Sequence, residues 1–267
     1  TARQNMVSLG YVGPTSLKLS GSIRPDCPKK IYYVAVRYPA QFGGHVFRET
    51  LSSGGIILKG TIACARNCPN TIDISTKRSG SWQTLALYRS PRLAEIMKVV
   101  NKLSNNLYAE MLLVAMGNTL NQGTNGPRAT DAALAALARA GVDTAGIVMA
   151  DGSGLSRYNL ITTRQLADIL RVMAKGPYAD HFYESLPIMS IDGTLGRRLK
   201  DSAATGKVRA KTGTITGVRS LSGYLTTKTG ENLVFSIISN GHESVAAVDR
   251  AIDKIMLRLL DYSADKD

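Results

Sequence analysis

Aromatic residues and long apolar runs are scarce in this sequence. Phe, Trp and Tyr make up 6% of its 267 residues, and Trp82 is the single tryptophan. No apolar run approaches the roughly 18 residues that a membrane span needs, so we predict no span. Residues 1–5 do not form a signal peptide, so the signal of an exported protein is expected upstream or already removed. Hydrophobic residues still reach 44%, which argues against wholesale disorder.

Clusters of basic residues are also absent, although the net charge is +13. A basic surface attracts nucleic acid, acidic lipid or anionic wall polymer, and a solvated basic surface without a polymer partner explains the composition equally well. No run of five Lys or Arg occurs, so the charge pattern argues against nucleic-acid binding.

Histidine and cysteine are too few and too scattered to predict a metal site. We expect surface or capping roles for the three histidines, which are His45, His181 and His242. The three cysteines are Cys27, Cys64 and Cys68. Because three is odd, at least one is free or pairs outside the chain. A small Cys64–Cys68 loop and a pairing with Cys27 both remain open, and an oxidising compartment is compatible with the count.

Hydrophobic periodicity predicts an α+β arrangement. Residues 1–35 read as short strands and turns. Helices are predicted to begin at Pro39 and Pro91, and strands are predicted over 55–60 and 84–88. Further helices are predicted over 107–116, with Gly117 ending the helix, over 129–140, and over 163–173, with Thr162 or Thr163 as cap. Three antiparallel strands over 207–216, 220–227 and 232–239 and a helix over 244–260 complete the prediction.

The segment Lys211-Thr212-Gly213-Thr214 lies in an apolar strand context. An ammonium beside a hydroxyl can hold a carboxylate and transfer protons, and a glycine beside them lets another backbone approach closely. The same three letters recur at Lys228-Thr229-Gly230 in a predicted turn, where we expect a structural role. The tripeptide alone therefore indicates little.

A second polar segment, Ser104-Asn105-Asn106, interrupts two predicted helices. Its hydroxyl can relay a proton and its amide can orient a substrate amide. The alternative is an ordinary helix N-cap, because Glu110 follows in the next helix.

The two segments together, with residues 151–159 between them, resemble a known family. Residues 151–159 read Asp-Gly-Ser-Gly-Leu-Ser-Arg-Tyr-Asn. The sequence over 19–260 resembles the class C low-molecular-mass penicillin-binding proteins, the D-Ala-D-Ala carboxypeptidase and endopeptidase family S13. The resemblance implies a penicillin-binding transpeptidase or β-lactamase-like α+β fold, with an antiparallel sheet flanked by helices and a helical subdomain. Residues 1–35 would be the remnant of an inserted β-rich domain, and 36–267 the carboxyl-terminal part of the transpeptidase-like domain.

The resemblance also implies roles for particular residues. Ser104 would carry protons to the leaving nitrogen, and Asn106 would hold the peptide amide. Lys211 and Thr212 would bind the terminal carboxylate, and the Thr214 N–H would donate to an oxyanion. The implied substrate-binding residues also include Gly213, Ser153, Gly154 and Leu155. The resemblance implies cleavage of peptidoglycan stem peptides through an acyl-enzyme at the periplasmic or outer face of the envelope, inhibition by β-lactams, and no metal or organic cofactor. It allows carboxypeptidase or endopeptidase action, since both cleave after a D-Ala.

The sequence departs from the family because it lacks the Ser-x-x-Lys segment that carries the nucleophile. Ser263-Ala264-Asp265-Lys266 matches the spacing but lies in the polar tail, and Thr15-Ser16-Leu17-Lys18 begins with Thr. We therefore expect a carboxyl-terminal fragment of a longer product, inactive alone, for which the missing amino-terminal segment would be a partner.

Two other interpretations fit parts of the sequence. Asp151-Gly152-Ser153-Gly154 superficially suggests a trypsin-like serine with His45 upstream, but helices are predicted around it and the G-x-S-x-G pattern fails at Asp151. Asp151 and Arg157 are expected either to pair at the cleft or to form a surface pair.

The other interpretation is a non-catalytic peptidoglycan-binding domain of the same fold, which keeps Lys211 and Thr212.

Overall fold

The structure is a computed structural model that describes residues 6–13, 16–29, 31–32, 34–62, 87–120 and 129–263. The chain divides into two compact units, Thr1–Leu85 and Ala86–Asp267. This boundary differs from the division near residue 35, and the origin of residues 1–35 in an inserted domain stays a prediction. Within the described part, no helix has the length and apolar character to cross a membrane.

The described residues of the first unit form a hairpin and one helix. Strands β1 (Met6–Val12) and β2 (Ser16–Ser22) pair antiparallel, and α1 spans Pro39–Ser53. The Tyr11 hydroxyl donates to the Ala35 carbonyl at 2.6 Å, and the Arg37 guanidinium lies 4.7 Å from the Tyr11 ring centroid. These contacts join the hairpin to the segment that precedes α1.

The second unit begins with a group of helices. They are α2 (Leu93–Leu103), α3 (Asn106–Leu120), α4 (Ala129–Arg139), α5 (Thr163–Lys175) and α6 (Ala179–Ser185). Helix α5 begins at a capping box, in which the Thr162 hydroxyl accepts from the Gln165 N–H and the Gln165 side chain accepts from the Thr162 N–H. The prediction that Thr162 or Thr163 caps this helix is confirmed, with Thr162 as the cap.

An antiparallel sheet and a final helix form the core of the second unit. The strands lie in the order β3 (Val208–Ile215), β4 (Val218–Thr226) and β5 (Asn232–Asn240), and α7 spans Val245–Leu259. Apolar residues on one face of the sheet, Val208, Leu221, Leu225 and Phe235, share a buried cluster with Ile252 and Met256 of α7. Burial of this face sets the strand register, because a slip of one residue would turn it to solvent.

Most predicted elements are confirmed, but some are wrong. Residues 55–60 form no strand: Ile57 is 84% exposed, and no described strand pairs with this run. Gly117 does not end α3; a Cβ there would lie 2.6 Å from the Ala129 Cβ, so the glycine permits the close approach of α4. The predicted strand over 84–88 falls largely outside the described residues, and Leu87 and Tyr88 have no regular structure. Helix α6 was not predicted.

Candidate active site

The end of α2 places Ser104 beside the sheet. Ser104 adopts a left-handed conformation (φ 54°) and ends the helix. The side chain of Asn105, not that of Ser104, caps the next helix by accepting from the Tyr108 N–H at 3.0 Å. The capping alternative therefore applies to Asn105, and it leaves the Ser104 hydroxyl and the Asn106 amide available at the cleft.

Lys211 reaches Ser104 from β3. Its Nζ donates to Ser104 Oγ at 2.7 Å and to the Thr212 carbonyl at 2.9 Å. Burial lowers the pKa of Lys211 below its ordinary value of 10.5, because removal from water disfavours the charged form. Among the described residues, no carboxylate lies within ion-pair distance of this ammonium. The site thus presents a desolvated cation whose contacts are a hydroxyl and a carbonyl.

In the part of the chain that the structure describes, no strand pairs with the outer edge of β3 beside Thr212 and Thr214. At the start of the strand, Met189 N donates to the Val208 carbonyl and Ala210 N donates to the Pro187 carbonyl, so even-numbered residues turn their backbone groups outward. Because this direction alternates along a strand, the backbone groups of Thr212 and Thr214 also face this edge. An extended peptide can therefore pair with it.

Two arginines that line the cleft differ from Lys211, because carboxylates neutralise their charges. Arg219 on β4 donates to both carboxylate oxygens of Asp249, from Nε at 3.1 Å and from Nη2 at 2.6 Å, and its Nη1 contacts Thr214 Oγ1. Arg198 pairs with Asp253 at 2.5 Å. These carboxylates come from α7, so the final helix fixes the position of both guanidinium groups.

A loop over 151–156 forms the opposite wall. Burial opposes ionisation of Asp151, but hydrogen bonds from Asn159 and from the backbone N–H groups of Ser156 and Gly154 outweigh it and lower the pKa of Asp151. The expected pairing of Asp151 with Arg157 is wrong among the described contacts, since Arg157 donates to the Thr216 carbonyl at 3.2 Å. Asp151 therefore organises its own loop.

A cleft of about 660 Å³ lies between these walls. It brings together all nine predicted site residues: Ser104, Asn106, Ser153, Gly154, Leu155, Lys211, Thr212, Gly213 and Thr214. Further lining residues that the sequence did not single out are Thr194, Arg198, Arg219 and Ser220. Thr194 accepts a hydrogen bond from the Thr212 hydroxyl at 2.9 Å. Within the described ranges, no three His, Cys, Asp or Glu side chains are grouped as metal ligands.

Comparison with known proteins decides the family. A profile of the D-Ala-D-Ala carboxypeptidase 3 (S13) family matches residues 2–261. The chain belongs to this family. The D-alanyl-D-alanine carboxypeptidase of Actinomadura sp. (strain R39) is 38% identical in an alignment 264 positions long, which covers 94% of this chain and 46% of that protein. The penicillin-sensitive carboxypeptidase A of Dictyostelium discoideum is 31% identical, over 92% of this chain and 47% of that protein.

The S13 chain spans about half the length of these curated relatives. Its fold is similar to that of penicillin-binding protein 4 from Haemophilus influenzae, solved with a β-lactam, with a TM-score of 0.77 at 24% identity over 97% of this chain and 60% of that one. This likeness confirms the predicted penicillin-binding α+β fold. The trypsin-like interpretation is therefore wrong, because the trypsin fold consists of β-barrels.

Most of the site residues that the sequence analysis missed in this S13 chain belong to no recognisable sequence pattern. Arg198 and Arg219 find their acids on α7, far along the chain. Glu110 is an exception, because its position one helical turn after Asn106 could have indicated a place near the cleft. Its hydrogen bonds to the 151–156 loop could not be predicted from the sequence.

Proposed function

We propose that the residues lining the cleft form the binding and proton-transfer walls of a serine-type D-Ala-D-Ala carboxypeptidase that acts on peptidoglycan stem peptides. The observation that carries this proposal is the Lys211 ammonium, which is desolvated, lies 2.7 Å from Ser104 and has no described acid partner. Such a cation favours a ligand carboxylate, because an opposite charge offsets the cost of burial. The terminal D-Ala of a stem peptide carries that carboxylate.

The remaining groups fit an acyl transfer along β3. The Thr212 hydroxyl lies beside Lys211 and would donate to the same carboxylate, while Asn106 would hold the amide of the preceding residue. The Thr214 N–H at the open strand edge would donate to the oxyanion. Ser153, Gly154 and Leu155 would border the substrate on the opposite side.

The nucleophile in this proposal is a Ser-x-x-Lys serine outside the present sequence. Its oxygen forms an ester with the penultimate D-Ala carbonyl, and the C–N bond to the terminal D-Ala breaks. The serine proton passes to a general base and then through Ser104 to the leaving amine. Water hydrolyses the ester and restores the serine. Carboxypeptidase and endopeptidase action share these steps and differ in what leaves.

An apolar groove between α2 and α3 supports the presence of such a segment. The groove has a volume of about 520 Å³ and is lined by Ile96, Val99, Tyr108, Met111, Leu112 and Ala115, among others. Met111 is 52% exposed, and no residue of α2 is buried. We propose that the nucleophile segment covers this groove, because the exposed helices are those that carry Ser104 and Asn106.

A non-catalytic peptidoglycan-binding domain is the second candidate. The partly buried Lys211 beside Thr212 fits it as well, because these two residues can bind a carboxylate without a nucleophile. For either function, the proposed location is the periplasm or the outer face of the envelope, where peptidoglycan lies. A net charge of +13 suits an anionic wall there.

Labelling with fluorescent penicillin tests the proposal. The product of the complete gene and the 267-residue chain are incubated with the label, and intact mass and peptide mapping locate any adduct. We expect one adduct per complete protein, on a serine outside residues 1–267, and none on the 267-residue chain. If neither protein is labelled but both bind a D-Ala-D-Ala peptide, the non-catalytic domain is correct and the enzyme proposal falls.

A further inference from the structure

Glu110 joins the helix that carries Asn106 to the opposite wall of the cleft. Its two carboxylate oxygens accept from consecutive backbone N–H groups, Gly152 N at 3.1 Å and Ser153 N at 3.0 Å. The side chain is partly buried. Charge-assisted hydrogen bonds of this kind are roughly twice as strong as neutral ones, and two of them fix an orientation as well as a distance.

The loop also packs directly on the same turn of α3. A Cβ at Gly152 would lie 2.8 Å from the Ala109 carbonyl oxygen and 3.0 Å from the Leu113 Cβ, so only glycine allows this approach. Glu110 lies one turn after Asn106, and side chains at this spacing share one face of a helix. The position of the loop relative to Asn106 is therefore set by one helical turn.

Two carboxylates hold the loop, one from within it and one from α3. Asp151 accepts from Gly154 N at 2.7 Å and from Ser156 N at 2.6 Å, which fixes the internal shape of the loop. Glu110 belongs to α3, so its contacts fix the position of the loop relative to that helix. Leu155, at the tip, is 54% exposed and lines the cleft.

We propose that Glu110 is a positioning residue that sets the distance between Asn106 and the Ser153–Leu155 wall, and thereby selects the acyl side chain of the substrate. This inference rests on the proposed acyl transfer. Glu110 acts through the backbone of Gly152 and Ser153 and touches no reacting atom. Groups bound by Lys211 and Thr212, on the other side of the cleft, are independent of it.

The Glu110→Gln variant separates this role from general stabilisation. The amide offers one oxygen acceptor, and its NH₂ group opposes the second backbone N–H, so the loop loses its fixed position. In the product of the complete gene, we measure acylation rates with benzylpenicillin and with 6-aminopenicillanic acid, which keeps the ring system and carboxylate but lacks the acyl side chain. We expect a fall of about 10- to 100-fold for benzylpenicillin, since a misplacement of about 1 Å can cost 10²-fold, and a much smaller fall for the other compound.

Glu184→Gln is the matched control, because Glu184 is an exposed carboxylate on α6 that lies 3.7 Å from Lys98 and lines neither the cleft nor the apolar groove. It should leave both rates unchanged. Equal falls for the two compounds in Glu110→Gln, or no fall, would overturn the proposal. If Glu110→Gln does not fold, Leu155→Ala decides, since this exposed side chain can be truncated without loss of Glu110; an equal effect on both compounds would again contradict the selection role.

Failure of the proposed function gives a different result. If the parent protein is acylated by neither compound, the acyl-transfer proposal falls. The hydrogen exchange of the Gly152 and Ser153 amides in the 267-residue chain then tests the remaining claim. Loss of protection at these two amides in Glu110→Gln, with the amides of β3 to β5 unchanged, supports the positioning role; unchanged protection overturns it.

Discussion

Two copies of Lys-Thr-Gly occur in the second unit, and they have opposite surroundings. Lys211 lies on β3, contacts Ser104 and has a lowered pKa because of burial. Lys228 lies in the turn between β4 and β5, about half exposed, and pairs with Asp261 at 2.6 Å. In the first copy the ammonium faces a cleft without a described acid; in the second an acid from the chain neutralises it.

The threonines and glycines of the two copies differ in the same way. Thr212 donates to Thr194 in the cleft, whereas Thr229 donates to Glu231 within the turn. Gly213 is extended within β3, whereas Gly230 has φ +93°. The chemical capacity of the tripeptide therefore depends on its neighbours, since the same groups serve a candidate site in one place and a turn in the other.

Replacement of each lysine should give the largest contrast. Removal of one preorganised electrostatic group from an acyl-transfer site costs about 10²- to 10³-fold in rate, and we expect this fall for Lys211→Ala in the product of the complete gene. Lys228→Ala removes an exposed ion pair, which is worth about 0–1 kcal/mol, and should leave the rate within about twofold. The measurement is the rate of penicillin adduct formation by intact mass. Equal rates in the two variants would show that the cleft lysine has no special role.

The glycines should separate activity from stability. An alanine at Gly230 must adopt a positive φ, which costs about 1–2 kcal/mol and lowers the Tm by about 2–8 °C. An alanine at Gly213 has an allowed φ but places its Cβ 2.3 Å from Ser220 Oγ in the cleft. The hydroxyl must turn away, and acylation should fall by about tenfold with little change in Tm.

Calorimetry and acylation rates on both glycine variants provide the check. The contrast fails if Gly213→Ala lowers the Tm as much as Gly230→Ala, because Gly213 would then be needed for the sheet and not for the cleft.

The meander that carries the first copy could be predicted because its signals are local. Alternating apolar residues and a turn at 228–231 indicate β4 and β5, and the periodicity over 244–260 indicates α7. The same rules failed at 55–60, where an apolar run has no described partner strand, and at Gly117, where the approach of α4 explains a glycine that looked like a helix end.

The cleft residues could be predicted only where the sequence resembles the family. Ser104 and Lys211 meet although 107 residues separate them, and no local rule gives this contact. The same limit applies to Glu110 and the arginines, whose partners depend on how helices dock against the sheet. Tertiary packing, which is non-local, decides which polar residues become neighbours.

The burial of Lys211 should also appear in the pH dependence of stability. The pKa of this lysine is lower in the folded state than its ordinary 10.5, so between these two values the unfolded chain binds more protons. Stability therefore rises with pH across that window, and the full cost of burying the charge is present below the folded pKa. In Lys211→Met, which has no charge to bury, this cost is absent.

We therefore expect Lys211→Met to have a higher Tm than the parent at neutral pH, because methionine carries no charge to remove from water. The difference should shrink as the pH rises through the lowered pKa towards 10.5. Lys228→Met is the control for the other copy, where loss of the exposed pair with Asp261 should give no such stabilisation. A difference between Lys211→Met and the parent that stays constant with pH would mean that the cleft does not desolvate this lysine. The electrostatic contrast between the two copies would then fail, because the proposed binding of a substrate carboxylate by Lys211 depends on that desolvation.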